Sequence, residues 1–470
     1  MIKDIYVIQD SHTDIGFTNT QGRILRWYSA YIRQAIEIAE ANPHYRWTCE
    51  TFLQVEQFWR HANEDWRQRF VETVQKGRIS LSASWANFNE LPDADLFESL
   101  ALRAKRFADE NRLPLNTAVM ADINGCPLAH ARALSKAGAN LLLMHVNSWH
   151  GCPLRRRPMQ SFWWDLGNGH KMLVYYNEHY HFGNELGLFP GAEANATNFN
   201  DPIAPFDETI LDRRLPEFLN RIEKTDWPHE FLIVTGSAFI TDNSPPGDAV
   251  VQRIARWNAN PPRPVKIRMI TASEIFGIVS SSAAELPTFS GDWTDWWADG
   301  VASDPEGIML FRQAQRERRW LSAAGKTFPG AAVDFHALDT ALGFFAEHTY
   351  GHCSAATSPW NPTAQQLHVR KMGYAGEAAD AADCLSEEAG QAFGFAPPAP
   401  LRPLHFAVVN PHDEELTQLV DIEVDTCEAH YHGLGKALEI RDATTHDILP
   451  HQMGHSLRGI KAVVIVNVLR

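Results

Sequence analysis

The chain has 470 residues, 44% hydrophobic and 21% charged, a balance that supports a large buried core and excludes a disordered protein. Lys and Arg number 42 against 57 Asp and Glu, a net charge of −15, which argues against a nucleic-acid partner because phosphate binding needs a basic surface. No stretch approaches the roughly 18 apolar residues of a membrane span, no basic-then-apolar leader is visible, and six scattered cysteines without a Cys-x-x-Cys make no disulfide framework, so the expectation is a cytoplasmic protein with no membrane partner.

Residues 5–8 are an apolar run that predicts a buried strand, and it ends in polar residues that include His12 and Asp14. Alternate residues of a strand face one side, so an imidazole and a carboxylate project together from its C-terminal end, where α/β folds place their chemistry. One imidazole nitrogen with one carboxylate oxygen is half of a zinc site. Taken alone, so short a motif reads as a surface loop; its place at a strand end and its partners downstream lift it.

Helical spacing follows at Leu25, Tyr28, Ile32, Ala35, Ile36 and Ala39 and stops before Asn42-Pro43. A second strand is predicted over 45–49, ending at Glu50, then one helix over 55–76 closed by Gly77. A third strand over 79–83 leads to Asn89 and Glu90, and a helix over 96–111 follows. The strand at 117–121 delivers Asp122, a helix runs from Pro127 to Gly138, and 140–145 is the fifth strand. The rhythm then breaks: 162–166, the turn Gly167-Asn168-Gly169 and 172–176 predict a β-hairpin, and the long insert 177–205 is expected to line the site. Strands at 231–235 and 265–270, with a helix at 248–257 between them, resume the pattern.

Alternating strands and helices predict parallel βαβ units, and seven such strands predict an α/β fold, a seven-stranded (β/α) barrel or a near-closed sheet. The first strand lacks a Gly-x-Gly-x-x-Gly turn, so no nucleotide cofactor is expected. Helical stretches at 305–324, 332–347 and 363–393 predict a three-helix bundle, 396–403 a proline-rich linker, and 404–409, 419–424 and 462–468 short strands. The predicted domains are a barrel over 1–290, the bundle over 291–395, and a linker with a small or partial β domain over 396–470. Polar residues follow nearly every barrel strand: His12 and Asp14, Glu50, Asn89 and Glu90, Asp122 and Asn124, His145 and Asn147. Each alone reads as a cap or loop residue; in a parallel barrel they share one rim, and together they predict an active site.

On these residues the chain resembles the family 38 glycoside hydrolases, the retaining α-mannosidases. His12-Thr13-Asp14, Asp122 after an apolar strand, and His348 at the end of the second bundle helix match the family's metal set, and the order of elements matches over residues 3–410. The resemblance implies that His12, Asp14, Asp122 and His348 hold one Zn2+, which grips adjacent sugar hydroxyls, and that Asp122 is also the nucleophile. An N2O2 donor set suits zinc. His352, four residues on, is the alternative to His348. The sequence departs from the family at Phe17, where a Trp is usual, at Ile123-Asn124-Gly125 after the nucleophile, and at Thr349, where an Asp is usual. Asp242 is the only acid in 235–246 and is the expected acid/base.

Phe17, Glu90, Asn124, His145, Glu178, His181 and Trp296 are expected to contact substrate. Glu178, His179 and His181 read equally as a polar loop, and Trp293, Trp296 and Trp297 equally as domain-interface core. Asp292 and Asp295 bind hydroxyls or cap turns, and the run Arg155–Arg157 reads as a solvated face. The function implied is a zinc-dependent retaining hydrolase of α-linked sugars, α-mannosidase-like and serving mannose metabolism, with a carbohydrate as partner and homo-oligomer formation left open. The alternatives are a metal-dependent carbohydrate deacetylase or amide hydrolase, where the metal activates water, and an inactive sugar-binding homologue.

Overall fold

Strand β1 (Asp4–Gln9) buries Ile5, Val7 and Ile8 completely, as a strand does when it has neighbours on both sides. The computed structural model describes residues 1–147, 160–190, 207, 209–239, 241–261, 264–282, 285–294, 297, 300–395, 404–431 and 438–468. The chain divides into two units, Met1–Met309 with Asp339–Gly376, and Leu310–Leu338 with Glu377–Arg470.

In the first unit β1 is followed by β2 (Trp47–Thr48), β3 (Ile79–Ser80), β4 (Thr117–Ala121), β5 (Leu141–His145), β6 (Gln160–Gly167), β7 (His170–Asn177), β8 (Phe231–Gly236), β9 (Lys266–Met269) and β10 (Thr288–Ser290). The mixed α/β character agrees with the sequence reading. Among the described residues, however, the ladders form separate sheets, β8-β1-β9, β2-β3 and β10-β6-β7-β5-β4, and not one closed ring. The physical reason is that side-chain hydroxyls take the backbone N–H groups at the seams. Val119 N–H donates to Ser82 Oγ at 3.0 Å, Ala272 N–H to Thr48 Oγ1 at 3.1 Å, and Ile233 N–H to Tyr175 OH at 3.3 Å. Ile8, Val119, Leu143, Leu173, Tyr175 and Ile233 share one buried cluster, so β1, β4, β5, β7 and β8 meet in a common core. Each such side chain contributes about 1.5–3 kcal/mol by leaving water.

Local chemistry sets several boundaries. The hairpin between β6 and β7 turns through Asn168 and Gly169, both at positive φ (54° and 78°), the geometry of a two-residue type I′ turn. The single helix expected over 55–76 is two, Phe52–His61 and Glu64–Gln75. Asn63 interrupts it, because its side chain accepts the Trp66 N–H at 3.1 Å and starts a new helix. Helices Pro305–Thr327, His336–Ala346 and Pro362–Ala392 lie where the spacing predicts helix. In the second unit, 404–409 forms no strand; the antiparallel sheet is instead β11 (Leu416–Asp425), β12 (His451–Ser456) and β13 (Gly459–Val468), ordered β11-β13-β12. β12 escaped notice because His-Gln-Met-Gly-His-Ser shows no apolar alternation. The predicted linker 396–403 and most of the insert at 191–205 lie outside the described residues.

Within the first unit, the short helix Phe182–Glu185 is seated against the end of β8. Asn184 clamps it there, donating to Ser237 O at 2.8 Å and accepting from Ser237 N–H at 3.0 Å. Gly183 makes the approach possible, since a Cβ there would lie 2.9 Å from the Thr235 carbonyl oxygen. Gly183→Ala is expected to destabilise the protein by about 1–3 kcal/mol, as overpacking against fixed backbone does. Urea unfolding measures this, and an unchanged midpoint would mean that the helix is not held so closely.

Candidate metal centre and active site

The C-terminal ends of β1 and β4 meet the segment after helix His336–Ala346 at one buried point. There His12, Asp14, Asp122 and His348 each offer a ligand atom within 4.8 Å of the others. His348 Nε2 lies 3.3 Å from Asp14 Oδ1 and 3.4 Å from Asp122 Oδ2; His12 Nε2 lies 3.6 Å and 3.9 Å from the same two carboxylates. Both Nε2 atoms are buried and lack a hydrogen-bond partner. Two unpartnered imidazole nitrogens and two carboxylates converging on one point fit a divalent ion. His352 is not in this group and instead accepts the Ser354 N–H through Nδ1 at 3.0 Å.

Each imidazole is fixed from behind. His12 Nδ1 contacts Glu50 Oε2 at 3.2 Å, and His348 Nδ1 contacts Glu347 Oε1 at 2.9 Å. Glu50 also accepts the Thr13 N–H (2.9 Å) and the Asn87 amide (2.8 Å). Asn87 joins three elements: it holds Glu50, accepts the Ala121 N–H at 3.0 Å through Oδ1, and receives the His348 N–H on its carbonyl at 2.8 Å. Asn243 accepts the Asp14 N–H at 3.2 Å and donates its own N–H to the His12 carbonyl at 2.9 Å, and Tyr28 bonds its side chain. Asp122 sits at φ 73°, a left-handed conformation that Asp tolerates better than most residues, and its Oδ1 accepts the Asn147 amide at 2.7 Å.

The two carboxylates differ in charge preference. Burial alone would raise Asp122, but the His348 and His12 imidazoles facing it hold its carboxyl well below the usual range. For Asp14 burial prevails over the attraction of His12 and lifts it to about 6. Burial would lower His348, but the carboxylates of Asp122 and Glu347 beside it carry it up to about 10.

The other predicted residues are placed unequally. Asp242 accepts the Tyr180 hydroxyl at 2.8 Å, and the Tyr180 ring stacks on His12 with centroids 4.1 Å apart. Burial and the nearby Asp122 charge raise the Asp242 carboxyl. His181 is buried, with Nε2 3.3 Å from the Thr241 carbonyl. His145 is fully buried, its Nδ1 3.2 Å from the Glu178 carbonyl. Asn124 bonds the Asn147 backbone at both ends of its amide. The Glu178 carboxyl is pushed up to about 7 by burial and the Glu185 charge, with Arg221 opposing. Glu90 is exposed, and Phe17 is half-buried with its backbone paired to Gly351 and Cys353. Trp293 is core, packed edge-on to Phe162, Trp164 and Tyr176, whereas Trp297 donates to the His348 carbonyl at 3.1 Å. Asp292 caps a helix by accepting the Leu128 N–H at 2.7 Å. Asp295, Trp296 and Arg155–Arg157 lie outside the described residues. Sequence reasoning gave no role to Asn87, Tyr180, Asn243 or Glu347; for Tyr180 the run Glu178-His179-Tyr180-His181 was the available signal.

The sequence model of the glycosyl hydrolases family 38 N-terminal domain matches residues 3–295. Among solved structures, an α-mannosidase from Enterococcus faecalis V583 superposes with a TM-score of 0.67 at 14% identity, covering 99% of this chain and 55% of its own. A protein in glycosyl hydrolase family 38 from Enterococcus faecalis gives 0.59 at 13% identity, covering 100% and 53%. At those identities the likeness is one of fold, and the chain spans just over half the length of either structure. No curated protein matches the chain in sequence.

Glu50→Ala would strand the buried donors of Thr13, Asn87 and His12. It is expected to destabilise the metal-free protein by about 3 kcal/mol or more, as breaking a buried ionic network does. Chemical denaturation checks this, and a loss below about 1 kcal/mol would show that Glu50 does not hold the site.

Proposed function

The chain belongs to glycosyl hydrolase family 38, and from that membership we propose that it is a zinc-dependent retaining glycoside hydrolase acting on α-linked, mannose-like sugars. The observation that carries the proposal is the convergence of His12, Asp14, Asp122 and His348 on one buried point. These four side chains would hold the ion, which when bound supplies a Lewis acid toward sugar hydroxyls.

Asp122 is the nucleophile. Its pair of histidines keeps it ionised, and its left-handed backbone turns the carboxylate out at the end of β4 while Asn147 orients one oxygen. Attack of a carboxylate oxygen on the anomeric carbon forms a glycosyl ester as the glycosidic bond breaks. Asp242, raised by burial and by Asp122, protonates the departing oxygen and then deprotonates the water that hydrolyses the ester. Tyr180 positions Asp242 and covers the outer face of His12. Phe17, Asn124, His145, Glu178, His181 and Trp296 remain the residues proposed to shape the sugar's surroundings, with Trp297 beside His348 added to them; Glu90 is the weakest of the group, being exposed. A cytoplasmic setting is supported by the free thiols of Cys49, Cys126, Cys353, Cys384 and Cys427. The helical stretch expected as a bundle over 291–395 is proposed as the source of His348.

Zinc uptake should be stoichiometric in wild type and lost in His12→Ala and Asp14→Ala. His348 is held protonated, up to about 10, in the metal-free protein and must lose that proton to bind, so uptake releases protons and the apparent affinity rises with pH. Metal analysis and calorimetry in buffers of different ionisation enthalpy read both effects; full metal content in both variants would reject the site.

A fluorinated glycosyl donor that reacts fast and hydrolyses slowly should leave its sugar on the peptide containing Asp122. Asp122→Asn should abolish the label, while Asp242→Ala should retain labelling by a donor with a good leaving group. Inverted product, or deacetylation without an adduct, would replace the retaining mechanism with metal-activated water.

A further inference from the structure

We infer that Glu347, paired with Lys371, is a positioning residue that sets the His348 ring and ties it to Asp14 through the Thr349 hydroxyl, an inference that rests on the site being a metal centre. Nothing in the chemistry proposed above uses Glu347 or Lys371, yet they are 1% and 2% exposed. Burying two ionisable groups costs several kcal/mol unless each is paired and hydrogen-bonded, and here both are. Glu347 Oε1 meets His348 Nδ1 at 2.9 Å, the Thr349 N–H at 3.1 Å and the Thr349 hydroxyl at 2.6 Å. Glu347 Oε2 lies 3.5 Å from Lys371 Nζ, and that ammonium also donates to the carbonyls of Phe344 (3.0 Å) and Glu347 (2.8 Å).

The arrangement answers a mechanical problem. His348 stands just beyond the end of helix His336–Ala346, where no helical neighbour fixes its ring. With the Glu347 carboxylate 2.9 Å from Nδ1, the other ring nitrogen, Nε2, faces Asp14 and Asp122. The Thr349 hydroxyl has one proton and lies 2.8 Å from Asp14 Oδ1 as well as beside Glu347, so it links the two carboxylates and restrains Asp14. Lys371 cancels the charge that Glu347 adds, so the ring gains a strong acceptor without a more negative centre. Glu50, behind His12, has no lysine within ion-pair distance among the described residues.

The test measures Zn2+ affinity by competition with a chromophoric chelator, in wild type, Glu347→Asp, and the double variant Glu347→Gln with Lys371→Met, alongside the melting temperature of each metal-free protein. Glu347→Asp keeps the Lys371 partner but withdraws the oxygen from Nδ1; the double variant removes both charges and leaves no buried ion unpaired. Both are expected to bind zinc about 10–100-fold more weakly, and with Co2+ in place of zinc to shift the visible absorption bands. Wild-type affinity and an unshifted Co2+ spectrum in either folded variant would overturn the inference while leaving the metal centre intact. A wild type that takes up neither ion would overturn the metal reading and this inference with it.

Discussion

Two imidazole rings, each with a buried carboxylate within 3.2 Å of its Nδ1 and each presenting an unpartnered Nε2 to the same point, are what the first unit is arranged around. Such a point is costly to build. Asp14 and Asp122 repel each other there, and Glu50 adds further negative charge behind His12, while Lys371 offsets that of Glu347 behind His348. The polar framework offsets this: Thr13, Asn87, Asn147, Asn243 and Thr349 each give at least one hydrogen bond to a group at the centre. Strand ends must therefore be placed to within a few tenths of an ångström, and the seams where hydroxyls replace ladder bonds let short strands deliver them at different angles.

Much of the fold was legible because period and punctuation are local. The apolar runs became strands, the heptad-like spacings became helices, and Asn168-Gly169 made the turn its residue types demand. The misses share one cause. A side chain that acts through a tertiary partner leaves no local pattern: Asn63 reads as an ordinary polar residue inside a helical stretch until its bond to Trp66 is seen, and Ser82, Thr48 and Tyr175 give no hint that they stand in for backbone acceptors.

The candidate site divides in the same way. His12, Asp14 and Asp122 were visible as polar residues at strand ends, and His348 through register against a known family. Glu50 was visible as a strand-end acid, but its role depends on facing His12 across 38 residues of chain. Glu347 reads as the last residue of a helix.

The pair Asn124-Gly125 carries a separate consequence, one of chemical ageing. An asparagine before glycine ordinarily loses its amide by attack of the following backbone nitrogen on the side-chain carbonyl, because glycine leaves that nitrogen unhindered. Here both ends of the Asn124 amide are held by the Asn147 backbone, its Nδ2 donating at 2.9 Å and its Oδ1 accepting at 2.6 Å, and the residue is fully buried. The ring closure that precedes deamidation requires the amide to swing free of both bonds. The lock that shapes the rim beside Asp122 thus also protects the folded protein from a slow lesion that an unfolded chain would suffer at the same position.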